Sequence, residues 1–361
     1  MAFLDHVLQT PSYGWKDSSG TLVKPTPGQI FKEFFSRLNV FKDKKNWLPF
    51  FSWLKVLCLI PFFMLFIFQF FSLYMLLAAF LYSMIIMGTH GTIWHHRYCT
   101  HGAYKFKNNF WRFFTQNLTL NVIPEEIYVI SHHVHHSKSD QPGDPYNANA
   151  GFLYCFLADV NHQPIAKNMS EMDYKRVQAL MCHTGVTGNT YKQYQKWGSY
   201  VNPGKAVLSW VLNWTFWYIV FYLIGGGHAL ACTLFGAAGF WAVGVRTFNY
   251  EGHGKGSGIQ REGIDFNKKD QSVNQIWPGF VAGEWHNNHH LFPKSARSGF
   301  KPMQLDLAWV YIRTMNWLGA VSSYKDNKKQ FYELYYAPAL AQKKLLAAEK
   351  RSVKLSGQVN S

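Results

Sequence analysis

Acidic residues and clustered cysteines are both scarce in this 361-residue chain. Its 20 Asp and Glu stand against 36 Lys and Arg, a formal net charge of +16. Such a balance suits nucleic acid, anionic lipid or an acidic partner protein, and the placement of the charges decides among them. The five cysteines, Cys58, Cys99, Cys155, Cys182 and Cys232, form no Cys-x-x-Cys pair. That argues against a zinc ribbon or a disulfide framework and fits a reducing compartment. Residues 1–54 lack the short apolar core and small-residue cleavage site of a signal peptide. The chain has no haem-binding His-Pro-Gly-Gly, no Gly-x-Gly-x-x-Gly after a strand and no cysteine set for an iron-sulfur cluster.

The longest gaps in charge are also the most informative. Val56 to Met87 and Ala206 to Val245 contain no Lys, Arg, Asp or Glu, in a sequence that is 48% hydrophobic with 30 Phe, 20 Tyr and 14 Trp. A spanning helix needs roughly 20 apolar residues, so the second run suffices for two helices and the first for two tight ones if it continues through Gly88 to Trp94. We expect turns near Gln69 to Ser72 and at Gly225-Gly226-Gly227. The expected fold is therefore an all-α integral membrane protein with four transmembrane helices in two hairpins and a cytoplasmic helical cap. Its segments are 1–54 (N-terminal), 55–94 (first hairpin), 95–205 (cytoplasmic), 206–248 (second hairpin), 249–324 (cytoplasmic) and 325–361 (basic tail). Every basic residue lies outside the two charge-free runs, which by the positive-inside rule places both termini and the middle segment in the cytoplasm. The charge then serves membrane lipid and partner proteins, not nucleic acid. Within 95–205, Phe106 to Asn121 suits an aromatic, basic helix in the headgroup plane. Asp140 to Pro145 breaks the next helix, and Asn147 to Gly204 caps the site. The tail from Lys325 reads as a solvated helix with a disordered end.

Histidines organise the rest. Ser131-His-His-Val-His-His-Ser137 places His132, His135 and His136 at i, i+3 and i+4, on one face of a helix. The pattern recurs as His286-Asn-Asn-His289-His290, and His96-Arg-Tyr-Cys-Thr-His101 lies upstream. All three clusters fall on the same side of the expected membrane. Imidazole suits Fe, Zn, Cu or Ni, and redox-inert zinc sites rarely use more than about four ligands per ion, so eight or more histidines imply two metal ions. A metal transporter is the contrasting reading. Transport sites lie near the bilayer midplane, whereas these histidines gather outside the spans.

These elements, with Gly283-Glu-Trp-His286-Asn-Asn-His289-His290-Leu-Phe-Pro293, resemble the three histidine boxes of the integral-membrane fatty acid desaturases, closest to the acyl-CoA delta-9 group. The resemblance runs from about the first span to near Val321. It implies two irons held by His96, His101, His132, His135, His136, His286, His289 and His290. Asn249-Tyr-Glu-Gly-His253 stands where the family has a further element, which implies His253 as the ninth ligand and Asn249 holding a metal-bound water. It also implies dioxygen as co-substrate, removal of two hydrogens from a fatty acyl chain (CoA, carrier-protein or lipid ester, or free acid), and positioning of the chain in a narrow tunnel. Electrons would come from an external donor such as ferredoxin, or cytochrome b5 with its reductase. Hydroxylases, alkane monooxygenases and terminal-alkene-forming decarboxylases share this scaffold, so they stay as alternatives to desaturation. Two features depart from close relatives: the third box is one residue shorter than Gly-Glu-x-x-His, and His133 is an extra imidazole. His90 and His95 read as membrane-edge residues, with lining of the site as the alternative for either, and His6, His162, His183 and His228 as structural.

Overall fold

The computed structural model describes residues 3–161, 164–257 and 259–359, so His162 lies outside the described residues. Helix α1 (Pro27–Leu38) opens on a capping box between Thr26 and Gln29. Helix α2 (Trp47–Phe68) is apolar apart from Ser52 and Lys55. The chain turns at 69–72, as the sequence predicts, and α3 (Leu73–Ile86) starts where the Ser72 hydroxyl accepts the Met75 N–H at 3.2 Å. From α3 the backbone continues directly into a π-helix, Met87–Thr100. Strand β1 (Tyr104–Phe106), α4 (Asn109–Gln116) and α5 (Glu125–Lys138) follow. The next stretch holds α6 (Phe152–Phe156), α7 (Ala158–Asn161), α8 (Glu171–Met181) and α9 (Tyr191–Trp197). Then come α10 (Pro203–Phe221), α11 (Gly227–Gly244), α12 (Phe248–Gly252), α13 (Ile276–Ala282), α14 (His286–Leu291) and α15 (Leu307–Trp317). Strand β2 (Val321–Tyr324), α16 (Lys328–Phe331) and α17 (Ala337–Val359) complete the chain.

Among the described residues, three helical stretches are long and apolar enough to cross a bilayer: Lys44–Phe68, Leu73–Thr100 and Pro203–Gly252. The third is broken. Gly225 (φ 114°) and Gly227 (φ 52°) adopt left-handed conformations between α10 and α11, which residues with a Cβ rarely tolerate. Helix α11 packs closely on α2. A Cβ at Gly236 would lie 2.8 Å from Phe63 Cα, and one at Gly239 would lie 2.9 Å from Leu59 Cβ. Small residues thus let the two backbones approach, the usual device where lipid leaves no hydrophobic drive between helices. Leu59, Ile86, Phe235 and Ala238 fill the core between these helices. Their outer faces present Phe68, Leu73, Tyr74 and Leu223, each more than two-thirds exposed. Such an apolar belt is unfavourable in water and natural in hydrocarbon.

A second core, with Trp94, Tyr104, Ile130, Tyr174 and Tyr194, supports the histidine-bearing helices. Two expectations shift here. The fold is mostly helical but not wholly so, because β1 pairs antiparallel with β2 (Tyr104↔Tyr324, Lys105↔Ser323). That ribbon draws Phe106 away from the expected Phe106 to Asn121 helix, and the Asn108 cap confines α4 to eight residues. The tail is helix from Ala337 to Val359, which accords with its Ala, Leu and Lys content, and 360–361 lie outside the described residues.

Glu126, in the first turn of α5, is fully buried, and one carboxylate oxygen accepts the Val201 N–H at 2.9 Å. Its other oxygen has no partner. Burial pushes its pKa from 4.5 up to about 8, against the pull of the backbone donors at Val201 and Tyr200. A carboxyl whose folded pKa is raised contributes stability that is complete below its unfolded pKa and is lost as pH rises through the folded one. Glu126→Gln is therefore expected to melt like the parent near pH 4.5 and several degrees above it past pH 8. Parallel melting curves for the two proteins would refute this.

Candidate metal centre

The π-helix explains the spacing of the first histidine pair. Its i→i+5 bonding brings residues five apart one above the other, which an α-helix does not. His96 and His101 thus face the same way, with ring centroids 5.0 Å apart. Helix α5 presents His132, His135 and His136, the last half-buried and the others buried. Helix α14 presents His286, His289 and His290, while His253 caps the C-terminus of α12. The intervening asparagines hold α14 in place. Asn287 Nδ2 donates to the carbonyls of Asn267 and Ser272, and Asn288 Nδ2 to that of Ser298. Arg97 fastens the first box to the third, donating to Gly283 O, Ala296 O and Asp306 at 2.6, 2.6 and 2.9 Å.

All nine histidines converge, in two groups. His96, His101, His132, His136 and His289 form one, and His135, His253, His286 and His290 the other, with the ligand atoms of each group within 4.8 Å of one another. The shortened third box still delivers His286, whose Nε2 lies 3.1 Å from His253 Nε2. Asn249 is half-buried one turn before His253. His133 stands half-buried beside the first group, its ring centroid 6.4 Å from that of His101. His90 and His95 are buried, and His95 lines the apolar cavity that also holds Glu284. His90 Nε2 accepts from the Val122 and Ile123 N–H groups, and His95 Nδ1 donates to His90 O at 2.7 Å. His6, His183 and His228 contact Asp173, Tyr98 O and the Tyr218 hydroxyl, as structural residues do.

Sequence reading missed the carboxylates behind the rings. Glu284 lies 2.7 Å from His96 Nδ1, Asp144 2.9 Å from His135 Nδ1, Asp140 3.0 Å from His253 Nδ1 and Asp270 2.8 Å from His290 Nδ1. Asp140 and Asp144 were legible only as helix breakers, and Asp270 carries no local signal. A carboxylate that takes the Nδ1 proton leaves the Nε2 lone pair pointing inward. For His96 and His253 that lone pair faces another imidazole nitrogen, His289 Nε2 at 2.9 Å and His286 Nε2 at 3.1 Å. Unshared, such pairs repel; a cation between the rings removes the conflict. Nε2 of His101, His135 and His290 and Nδ1 of His286 are also buried without partners. The donor set therefore fits metal ions.

Burial, reinforced by neighbouring imidazoles, holds His101, His132, His136, His286 and His289 well below the usual histidine pKa. His290 falls to about 4, burial outweighing Asp270. Burial also opposes the charged form of His135, but Asp144, Asp140 and Asp270 prevail and raise its pKa. Neutral rings are what metal ligation requires.

An apolar cavity of about 270 Å³ reaches this centre from between the membrane helices. Ser83, Met84 and Phe240 line its far part, and His95, Tyr128 and Glu284 its near end. Glu284 is the carboxylate that holds His96, so the cavity ends beside the first group.

Comparison with known proteins agrees with this geometry. Residues 71–315 match the family model for fatty acid desaturase. The chain is 29% identical over 212 residues to the sn-1 stearoyl-lipid 9-desaturase of Anabaena variabilis, covering 56% of this chain and 66% of that protein. It is 27% identical over 259 residues to the icosanoyl-CoA 5-desaturase of Limnanthes douglasii, covering 68% and 65%. With the hex-5-enoyl-[acyl-carrier protein] acetylenase of Moorena producens it shares 28% identity over 250 residues, covering 63% and 69%. The chain thus spans about two-thirds of the length of these relatives. With a family match over most of its length and nine histidines gathered beside an apolar cavity, this chain belongs to the fatty acid desaturase family.

Proposed function

We propose that this protein is a membrane di-iron oxidoreductase that uses dioxygen to insert a double bond into a saturated fatty acyl chain. The observation that carries the reading is the pair of five- and four-histidine groups at the end of an apolar cavity. His96, His101, His132, His136 and His289 would hold one iron, and His135, His253, His286 and His290 the other, with Asn249 bound through a water. When bound, the irons supply the oxidising power for removing hydrogen from an unactivated methylene. The protein's share is positioning. Glu284, Asp140, Asp144 and Asp270 aim the imidazoles, while the apolar walls exclude water and fix the depth of the chain.

The same reading includes four spans in two hairpins. A straight 50-residue helix over Pro203–Gly252 would measure about 75 Å, more than twice a bilayer core, and the left-handed glycines at its middle supply the turn. Segment boundaries follow the sequence reading, with both termini, the histidine-bearing cap and the active site cytoplasmic. Relatives named for lipid-linked, CoA-linked and carrier-protein-linked chains support a fatty acyl substrate.

Expression in a host lacking the activity, followed by gas chromatography with mass spectrometry of total fatty acids and volatile hydrocarbons, tests the reaction. A new internal double bond supports it. A hydroxyl group, or an alkene one carbon shorter, would assign the same centre to hydroxylation or decarboxylation. Asp144→Asn, which leaves His135 without its aligning carboxylate, is expected to weaken iron retention against a chelator roughly 10- to 100-fold with the histidines intact. Unchanged retention would remove Asp144 from the site.

A further inference from the structure

Lys55 is a cation inside a candidate span and is only 4% exposed. Ionisable groups at such positions are costly and tend to be functional. Its sole hydrogen bond among the described residues, to Asn121 O at 3.5 Å, is at the limit of what counts as one, and its ammonium lies 5.2 Å from the Phe51 ring centre. No carboxylate oxygen of the described residues lies within 4.0 Å of it. The ammonium lines a cavity of about 190 Å³ together with Gln116, Asn121, Glu125, Lys205 and Trp210. Trp210 Nε1 is a second buried donor without a partner. Glu125 is already engaged, accepting from Trp94 Nε1 at 3.3 Å and Gln116 Nε2 at 2.9 Å. Buried Lys55 and exposed Lys205 together outnumber Glu125 by one positive charge along this lining, which a single anionic group would neutralise.

The surroundings say what carries that group. The cavity shares Phe113, Asn117, Lys205 and Ser209 with an apolar groove of about 750 Å³ whose other walls include Phe110, Leu212 and Phe216. Those three are 64, 61 and 57% exposed, on the lipid-facing surface. At its inner end the cavity has Ile123 in common with the apolar cavity that ends at Glu284. We propose that Lys55 and Trp210 bind the ionised carboxylate of a free fatty acid that arrives laterally from the bilayer. The cavity of about 190 Å³ fits a compact headgroup such as a carboxylate, with the acyl chain in the adjoining groove. A thioester or ester carbonyl carries no charge and would leave the excess positive charge of the lining in place. The proposal deepens the desaturase reading and rests on it only for the fate of the acid, since the binding site stands on its own residues.

The test is binding of carboxyl-¹³C palmitate to the iron-loaded full chain in nanodiscs, followed by NMR of the carboxyl resonance and by competition. Lys55→Met is expected to weaken palmitate binding at least about tenfold, the scale of one charged hydrogen bond, while leaving methyl palmitate binding and iron content unchanged. Lys55→Arg should recover much of the loss, and Trp210→Phe should weaken binding severalfold, a measure that stands even if the methionine variant fails to fold. Equal palmitate affinity in the parent and in these variants would overturn the proposal, as would displacement of palmitate by phosphatidylglycerol. If the parent oxidises palmitoyl-CoA but shows no Lys55-dependent palmitate binding, the desaturase reading stands and this site falls. If Lys55-dependent binding occurs and no acyl form is oxidised, the site stands and the desaturase reading falls.

Discussion

Replacing His289 with alanine is expected to abolish acyl-chain oxidation and to lower bound iron from about two ions per chain to about one. His289 Nε2 lies 2.9 Å from both His96 Nε2 and His136 Nε2, so it joins the nitrogens of the first and second boxes. Alanine removes that donor and opens a gap in a buried site. The loss should exceed the roughly 10- to 100-fold effect of removing an outer carboxylate, because the ligand itself is gone. Because the second group keeps its four histidines, one iron should remain. Metal analysis and turnover on the same preparation read both effects. An active His289→Ala with its full iron complement would refute the assignment, and so would loss of both irons with the fold intact, since the two groups would then not be separate sites.

The second large effect concerns electrons. Reducing dioxygen to water while removing two hydrogens from a chain requires two electrons beyond those the substrate provides. These 361 residues carry no haem-binding, dinucleotide-binding or iron-sulfur motif to deliver them. The purified chain with NADPH alone is therefore expected to form no product above background, and adding ferredoxin, or cytochrome b5 with its reductase, should restore turnover by orders of magnitude. A net charge of +16 lies outside the two apolar runs, and such a face attracts the acidic surfaces common on these donors. The donor's apparent affinity should accordingly weaken as salt rises, since about 0.15 M salt screens exposed charges beyond roughly 8 Å. Sustained turnover with NADPH and no second protein would refute the expectation, and a salt-independent donor affinity would refute its electrostatic part.

Much of the centre was legible without coordinates. Charge-free runs marked the apolar helices because a bilayer tolerates no exposed charge, and a helix period placed His132, His135 and His136 on one face. The turns at 69–72 and Gly225 to Gly227 were equally readable, since glycine and polar breakers act locally. The nine candidate histidines came from spacing plus resemblance to a family.

What spacing could not give is how those histidines divide. His135 leaves His132 and His136, its neighbours on α5, and joins His253, His286 and His290, while His289 leaves His286 and His290 to join the first group. Sequence fixes the face of a helix on which a ring sits; the element packed opposite decides which partners it meets. The π-helix is of the same kind, because its i→i+5 register is set by the packing of Met87–Thr100 against α5 and α13 and not by residue preference. The four carboxylates, too, sit on loops 9 to 188 residues away from the imidazoles they align, where no local pattern links them. Composition and periodicity thus determined a membrane protein rich in metal-binding imidazole, and only the tertiary packing sorted nine rings into two sites and aimed them at the end of an apolar cavity.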